Sequence, residues 1–348
     1  MSIRGREGLC GMKANGKQEA AIKRYIVTGA AGHLGSTILR ELIDSGSEVY
    51  GLLLPGEIPI VNSPKVTYFT GDVCDSDSLR CLFEQGEGRE LYVIHTAALI
   101  SIAKEMPPNL HDVNVGGVRN ILRLCSEYKV RRLVHVSSVH AIPELPKGQI
   151  MREPDSFSAE RVNGGYAKTK AEAAQAVLDA AADGLDAVIV FPSGILGPYD
   201  EGRNHLIQMT GEFMKGKLPA CVKGGYDFVD VRDAAHGCIL AAEYGVRGQG
   251  YILSGTAVSL KELLSLAGKY CGRRQVPALP VSIAKLAVPF IGAYSHVRGS
   301  RPLYTSYTLS TVSGNSSFSN EKAKRELHYT VRSLEETVRD MVEWMKEE

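Results

Sequence analysis

The segment Thr28-Gly29-Ala30-Ala31-Gly32-His33-Leu34-Gly35 constrains this chain more than any other. A short apolar run, Tyr25-Ile26-Val27-Thr28, leads into it. Residues 34–44 leave it with Leu34, Ile38 and Leu42 at helical spacing. A strand, a glycine turn and a helix in that order predict the start of a βαβ unit. Gly29 permits a tight turn, Gly32 lets the backbone approach a pyrophosphate, and Gly35 lets helix and strand pack closely. The first turn of the helix offers free N–H groups and a partial positive charge to an anion. The pattern predicts a dinucleotide-binding loop with Gly29, Gly32, His33, Leu34 and Gly35 against the cofactor.

The alternation of strand and helix continues. Strands are expected at 48–54, 66–70, 92–96, 133–137 and 187–191. Helices are expected from 79, over 114–128 and over 166–182. Single helices between strands mean right-handed crossovers and a parallel sheet. Near-continuous apolar strands mean that both faces of that sheet are covered. The expected fold class is therefore α/β, a Rossmann-type doubly wound parallel sheet with a smaller C-terminal substrate lobe. After Pro192 the rhythm changes, and glycine, proline and tyrosine become frequent. The expected organisation is a disordered leader over 1–22 and a dinucleotide-binding domain over 23–192. A region that is mainly a substrate lobe follows over 193–348, with some segments returning to the dinucleotide-binding domain. The chain ends in an amphipathic helix over 334–346.

Composition narrows the function classes. The formal net charge of +1 gives no electrostatic case for nucleic acid or an anionic membrane surface. The seven cysteines include no C-x-x-C pair, so a zinc or redox motif is not indicated, and free thiols in a reducing cytoplasm are expected. No metal site is expected. The apolar segment 281–294 is interrupted by Lys285 and Pro289 and is too short to span a bilayer; an amphipathic or substrate-facing helix is expected there.

The loop spacing, G-x-x-G-x-x-G, resembles that of the extended short-chain dehydrogenase/reductase family, the NAD-dependent epimerase/dehydratase superfamily. The resemblance runs from Arg24 to the C-terminus. It implies that Asp72, followed by Val73, bonds the adenine amino group, although a helix cap is another reading of Asp72. It implies that Thr96, Ala97 and Ala98 are small so that the cofactor can approach the backbone. It also implies that Pro192, Gly194 and Ile195 line the nicotinamide and substrate. Family members favouring NAD often carry Asp where Leu53 stands, and those favouring NADP often carry Arg where Leu54 stands. Neither is present. The balance leans to NADP over NAD, because Glu57 lies past the expected contact at Leu54.

Tyr166-Ala-Lys168-Thr-Lys170 matches the family's Y-x-x-x-K motif. Residues four apart on a helix share a face, so Tyr166 and Lys170 present a phenol and an ammonium side by side. A free phenol is a poor base at neutral pH, and a nearby positive charge favours phenolate. Tyr166 can then exchange a proton with a substrate oxygen while hydride moves to or from nicotinamide. By resemblance, Lys170 also bonds the nicotinamide ribose, and Ser138 in Val136-Ser137-Ser138 bonds the reacting oxygen. Asn114 either supports the active-site backbone or caps a helix. His140, an isolated histidine, stays outside the core assignment, and His33 has no account.

Val139-His140 replace the Asp-Glu pair of sugar-nucleotide dehydratases. Residues 191–198 and 228–234 look more like the dihydroflavonol reductase and 3β-hydroxysteroid dehydrogenase branch. The expected partner is a small carbonyl or alcohol substrate. Tyr199, Phe213, Met214 and Tyr226 give the lobe an apolar character suited to a ring-bearing ligand, or build its own core. Residues 230–233 are expected to be structural. A sugar-nucleotide epimerase with bound NAD and a non-catalytic NADP sensor are the alternatives. A homodimer is common in the family.

Overall fold

The computed structural model describes residues 23–86, 90–101, 107–200, 204–286 and 305–347. The expected leader, and residues 287–294 of the expected apolar helix, lie outside these; 281–286 are helical.

Six strands come where the apolar runs predict them: β1 (Arg24–Thr28), β2 (Glu48–Leu53), β3 (Val66–Thr70), β4 (Leu91–His95), β5 (Arg132–Val136) and β6 (Ala187–Pro192). The chain continues through β7 (Gly194–Leu196), β8 (Cys221–Val222), β9 (Gly225–Asp230), β10 (Gly250–Leu253), β11 (Thr256–Ser259) and β12 (Ala278–Leu279). The main sheet has seven strands in the order β10-β6-β5-β4-β1-β2-β3, every neighbouring pair parallel. A smaller mixed sheet, β11-β9-β7, and the pair β12-β8 belong to the later part of the chain.

The helices that matter to the site are α1 (His33–Leu42), α2 (Arg80–Glu84), α3 (Gly117–Glu127) and α4 (Gly165–Ala182). They are followed by α5 (His205–Met214), α6 (Val231–Tyr244) and α7 (Leu260–Cys271). Strand side chains alternate between two cores. Ile26, Val93, Leu133 and Ile189 join the cluster that includes α3 and α4 residues such as Ile121 and Ala174. Tyr25, Val27, Tyr92, Val134 and Val188 join the cluster that includes Ile38 of α1 and Ala241 of α6. Both sheet faces are thus buried, the physical reason the strands read as unbroken apolar runs.

Some details depart from the sequence reading. Residues 112–116 form a π-helical turn, so regular α-helix starts at Gly117 rather than at 114. The unexpected seventh strand, β10, pairs with β6, and α6 packs on α1. The strand order reverses between β1 and β4, and a crevice at such a reversal is where open α/β sheets bind ligands. Among the described residues no helix is long and apolar enough to cross a membrane. Nor is there a group of three or more His, Cys, Asp or Glu side chains able to hold a metal.

Candidate active site

The glycine loop opens directly onto that crevice. Gly29 has φ +65°, and a Cβ there would stand 2.8 Å from the Thr96 hydroxyl. A Cβ on Gly35 would overlap the carbonyl oxygen of Gly29. The turn and the close helix–strand approach therefore both require glycine. α1 begins at His33 with Gly32 as its cap, and no side chain occupies the cap position. Its first-turn amides are left for an anion, a cradle that fits a pyrophosphate. Thr28 braces the loop from below: its hydroxyl accepts the amides of Thr96 (3.2 Å) and Ala97 (3.1 Å), and Thr96 Oγ1 donates to the Thr28 carbonyl at 2.6 Å. His33 acquires a role here. Its Nε2 lies 2.8 Å from the Pro198 carbonyl, tying the loop to the segment after β7. Burial lowers its pKa, against Asp200 and the Pro198 bond, which raise it.

The end of β2 overturns one expectation. Leu54-Pro55-Gly56-Glu57 is a tight turn with Gly56 at φ +87°, closed by Glu57 N–H donating to the Leu54 carbonyl at 3.0 Å. The Leu54 amide in turn donates to Glu57 Oε2 at 3.0 Å. Glu57 does not run past the strand end; the turn folds its carboxylate back onto it. The Pro-Gly pair was the available signal for this.

Asp72 Oδ1 accepts the amide of Cys74 at 2.9 Å, and Val73 packs beneath Gly117 of α3. Asp72 thus braces its own loop rather than capping α2. Pro192 ends β6, and Gly194 starts β7, where a Cβ would lie 3.0 Å from both the Asp227 carbonyl and the Tyr226 ring. The Ile195 carbonyl accepts from Asn204 Nδ2 at 2.9 Å. Ala98 follows Ala97 in the segment beyond β4 and is half-buried.

Ser138 follows β5, while Tyr166 and Lys170 lie one turn apart on α4, and all three are buried. Burial drives the Tyr166 phenol well above its usual range; Tyr307 adds to this and the nearby Ser138 hydroxyl opposes it. Lys170 was expected to pull this phenol down. Instead its Nζ donates to the Val136 carbonyl at 2.8 Å, and burial lowers the ammonium to about 8. In this state desolvation outweighs the charge. Asn114 supports the site: Oδ1 accepts the Leu99 amide (2.8 Å), and Nδ2 donates to the Leu99 carbonyl (2.9 Å) and to Thr169 Oγ1 (3.1 Å). It joins the segment after β4 to α4, so the helix-cap alternative does not describe it.

His140, set aside on sequence grounds, stands beside this group. Its ring lies edge-on to Tyr166 with centroids 6.0 Å apart. Tyr226 of β9 and Tyr307 of the helix Ser306–Ser313 reach its two ring nitrogens. Nothing short-range in the sequence brings residues 140, 226 and 307 together. Of the other lobe residues, Phe213 is core, and Tyr199 lies under the Arg40 guanidinium at 4.8 Å. Asp230 caps α6 and pairs with Arg232, which also reaches Asp340; Asp233 pairs with Arg332. These bonds bind α6 to the C-terminal segment.

A nucleotide loop opening beside a buried phenol, hydroxyl and ammonium is the arrangement of an NAD(P)-binding Rossmann-fold oxidoreductase. The chain belongs to the NAD dependent epimerase/dehydratase family, which it matches over residues 25–253. It is 30% identical over 328 residues to sterol demethylase protein B of Methylococcus capsulatus, covering 92% of this chain and 98% of that one. It is 26% identical over 327 residues to a 3-beta-hydroxysteroid dehydrogenase of Mycolicibacterium neoaurum, covering 88% and 86%. The crystal structure of gox2253 superposes with a TM-score of 0.79 at 29% identity, covering 94% of this chain and 98% of that one.

Proposed function

We propose that this enzyme moves a hydride between nicotinamide and a ketone or secondary alcohol on a bulky, largely apolar substrate. The buried Ser138 and Tyr166 hydroxyls, brought together from the end of β5 and the start of α4, carry the reading, because two neighbouring hydroxyls can share one substrate oxygen. A dinucleotide bound at the glycine loop supplies or accepts the hydride. Tyr166 passes the proton to or from the substrate oxygen, and Ser138 holds that oxygen in place. Lys170, held on the Val136 carbonyl, provides the charge that favours phenolate when the two approach. Relatives named for sterol and steroid chemistry favour a ring-bearing substrate over a sugar nucleotide. Residues beyond 193 serve mainly as the substrate lobe, and the enzyme works in the cytoplasm on a small molecule.

For the cofactor we infer NAD rather than NADP. The Glu57 carboxylate, folded onto Leu54 at the end of β2, stands where it can accept from ribose hydroxyls and would repel a 2′-phosphate.

The test is net turnover. Purified protein is given reduced nicotinamide and a panel of bulky cyclic ketones, and absorbance of the reduced cofactor is followed. Stoichiometric oxidation supports the proposal. An epimerase would leave the cofactor balance unchanged; finding that result, with no oxidation of alcohols in the reverse direction, would overturn the proposal.

A further inference from the structure

We propose that His33 is a positioning residue that couples occupancy of the glycine loop to the order of the substrate lobe at the start of α5. The inference rests on the reading above that the loop and the first turn of α1 hold the cofactor's pyrophosphate.

One face of α1 meets the turn that leads into α5. His33 is the first residue of α1, and Arg40 lies about two helical turns on, along the same side. His33 Nε2 is 2.8 Å from the Pro198 carbonyl, and the Arg40 guanidinium is 4.8 Å from the centre of the Tyr199 ring. The two contacts grip successive residues. Tyr199 has φ +75°, a left-handed backbone that a residue with a side chain rarely adopts. Such a conformation persists only where its surroundings hold it, and two of the holding groups here come from α1.

The turn passes to α5 through Asp200 and Asn204. Asp200 is buried, and its Oδ2 accepts the Asn204 amide at 2.9 Å. Asn204 Oδ1 caps α5 by accepting the Leu206 amide at 2.9 Å, and Nδ2 donates to the Ile195 carbonyl of β7 at 2.9 Å. The same Nδ2 lies 3.5 Å from His33 Nδ1. Donor and acceptor roles agree along this path. The Pro198 carbonyl can only accept, so Nε2 carries the imidazole hydrogen. Nδ1 is then bare in the neutral ring that burial favours, and it faces an amide nitrogen that can only donate. His33 thus touches both the turn and the residue that caps α5.

An anion that accepts from the first-turn amides of α1 fixes the residue that carries this imidazole. Through the imidazole it fixes Pro198 and Asn204. α5 packs on α7 and β7 and buries Phe213, so order at its cap extends into the lobe. Dinucleotide binding thereby stiffens the lobe, and because coupling is reciprocal, an ordered lobe strengthens dinucleotide binding.

The experiment is hydrogen–deuterium exchange on the full chain with and without saturating ADP-ribose. This probe has the pyrophosphate but no nicotinamide that could touch residues 192–195 directly. In the wild type it is expected to slow exchange in the first turn of α1 and, about fivefold or more, in the first turns of α5. His33→Phe keeps a ring and the backbone amide but has neither ring nitrogen. There the effect on α1 should remain and the effect on α5 should fall below about twofold. His33→Gln, which retains a donor for the Pro198 carbonyl, should keep more of it. Asn204→Ser keeps a capping oxygen for α5 but loses the Nδ2 that faces His33, and should lose the α5 effect as His33→Phe does. Melting curves verify folding. A wild type whose α1 slows while α5 is unchanged overturns the coupling. So does a folded His33→Phe with the full α5 effect, or Asn204→Ser with the full effect should His33→Phe not fold. No change at α1 in the wild type strikes the underlying pyrophosphate reading instead, and the coupling falls with it.

Discussion

Ser138 and Tyr166 come from different elements, the end of β5 and the first turn of α4, yet the Ser138 hydroxyl acts on the Tyr166 phenol. It lowers the phenol pKa against the larger effect of burial. Both hydroxyls are buried near the carboxyl ends of the strands. The glycine loop lies two strands away in the sheet order, at the end of β1. Each expectation below follows from that arrangement.

Gly35→Ala tests the loop. Its Cβ would overlap the backbone oxygen of Gly29, which cannot swing aside as a side chain can. We expect a loss of roughly 1–3 kcal/mol of stability by urea unfolding. NADH affinity measured by nicotinamide fluorescence should weaken at least about tenfold. Unchanged stability and unchanged affinity would show that helix and strand are not locked together at this point.

Glu57→Gln tests the cofactor assignment. Glutamine keeps a carbonyl oxygen for the Leu54 amide, so the turn is retained while the charge is lost. Affinity for NADPH is expected to rise about tenfold, equivalent to about 1.4 kcal/mol, with a smaller loss for NADH. Paired titrations with NADH and NADPH measure both. A variant with the same preference as the wild type would remove Glu57 from the selection.

Lys170 makes stability depend on pH. Burial lowers its pKa from 10.5 to about 8. Below pH 8 the folded state carries the buried charge and its full cost. Between pH 8 and 10.5 the folded protein releases this proton while the unfolded chain keeps it. The unfolded state then binds more protons, so this residue's contribution to stability rises with pH across that window. Lys170→Met lacks the penalty. Its stability advantage over the wild type should therefore shrink by roughly 3 kcal/mol between pH 7.5 and 10.5, measured by urea unfolding. A constant difference would mean that the ammonium is not desolvated.

The sheet was legible because its strands are buried on both sides and announce themselves as apolar runs. β3 fell on the expected residues, and β1, β4 and β5 each came within a residue. β10 was not legible. It is four residues long, lies amid lobe sequence, and takes its place only by pairing with β6. Ser138, Tyr166 and Lys170 could be read as a set because two of them share a helix face. Glu57 was misjudged by measuring along the sequence where a turn doubles it back. His140 was passed over because its partners lie 86 and 167 residues away, a separation that no local pattern spans. Asn114 could be read either as a cap or as a brace, and its bonds to Leu99 and Thr169 decide for the brace.

The most direct measurement is a single turnover with Tyr166→Phe. Wild type and variant are loaded with NADH, mixed with a ketone that the wild type reduces, and followed by nicotinamide fluorescence. The variant should bind NADH with an affinity within about threefold of the wild type, yet reduce the ketone slower by about 10²–10⁴-fold, the range for loss of a general acid. Reduction by the variant at a rate within a few-fold of the wild type would contradict the account, because the proton would then come from a group other than Tyr166.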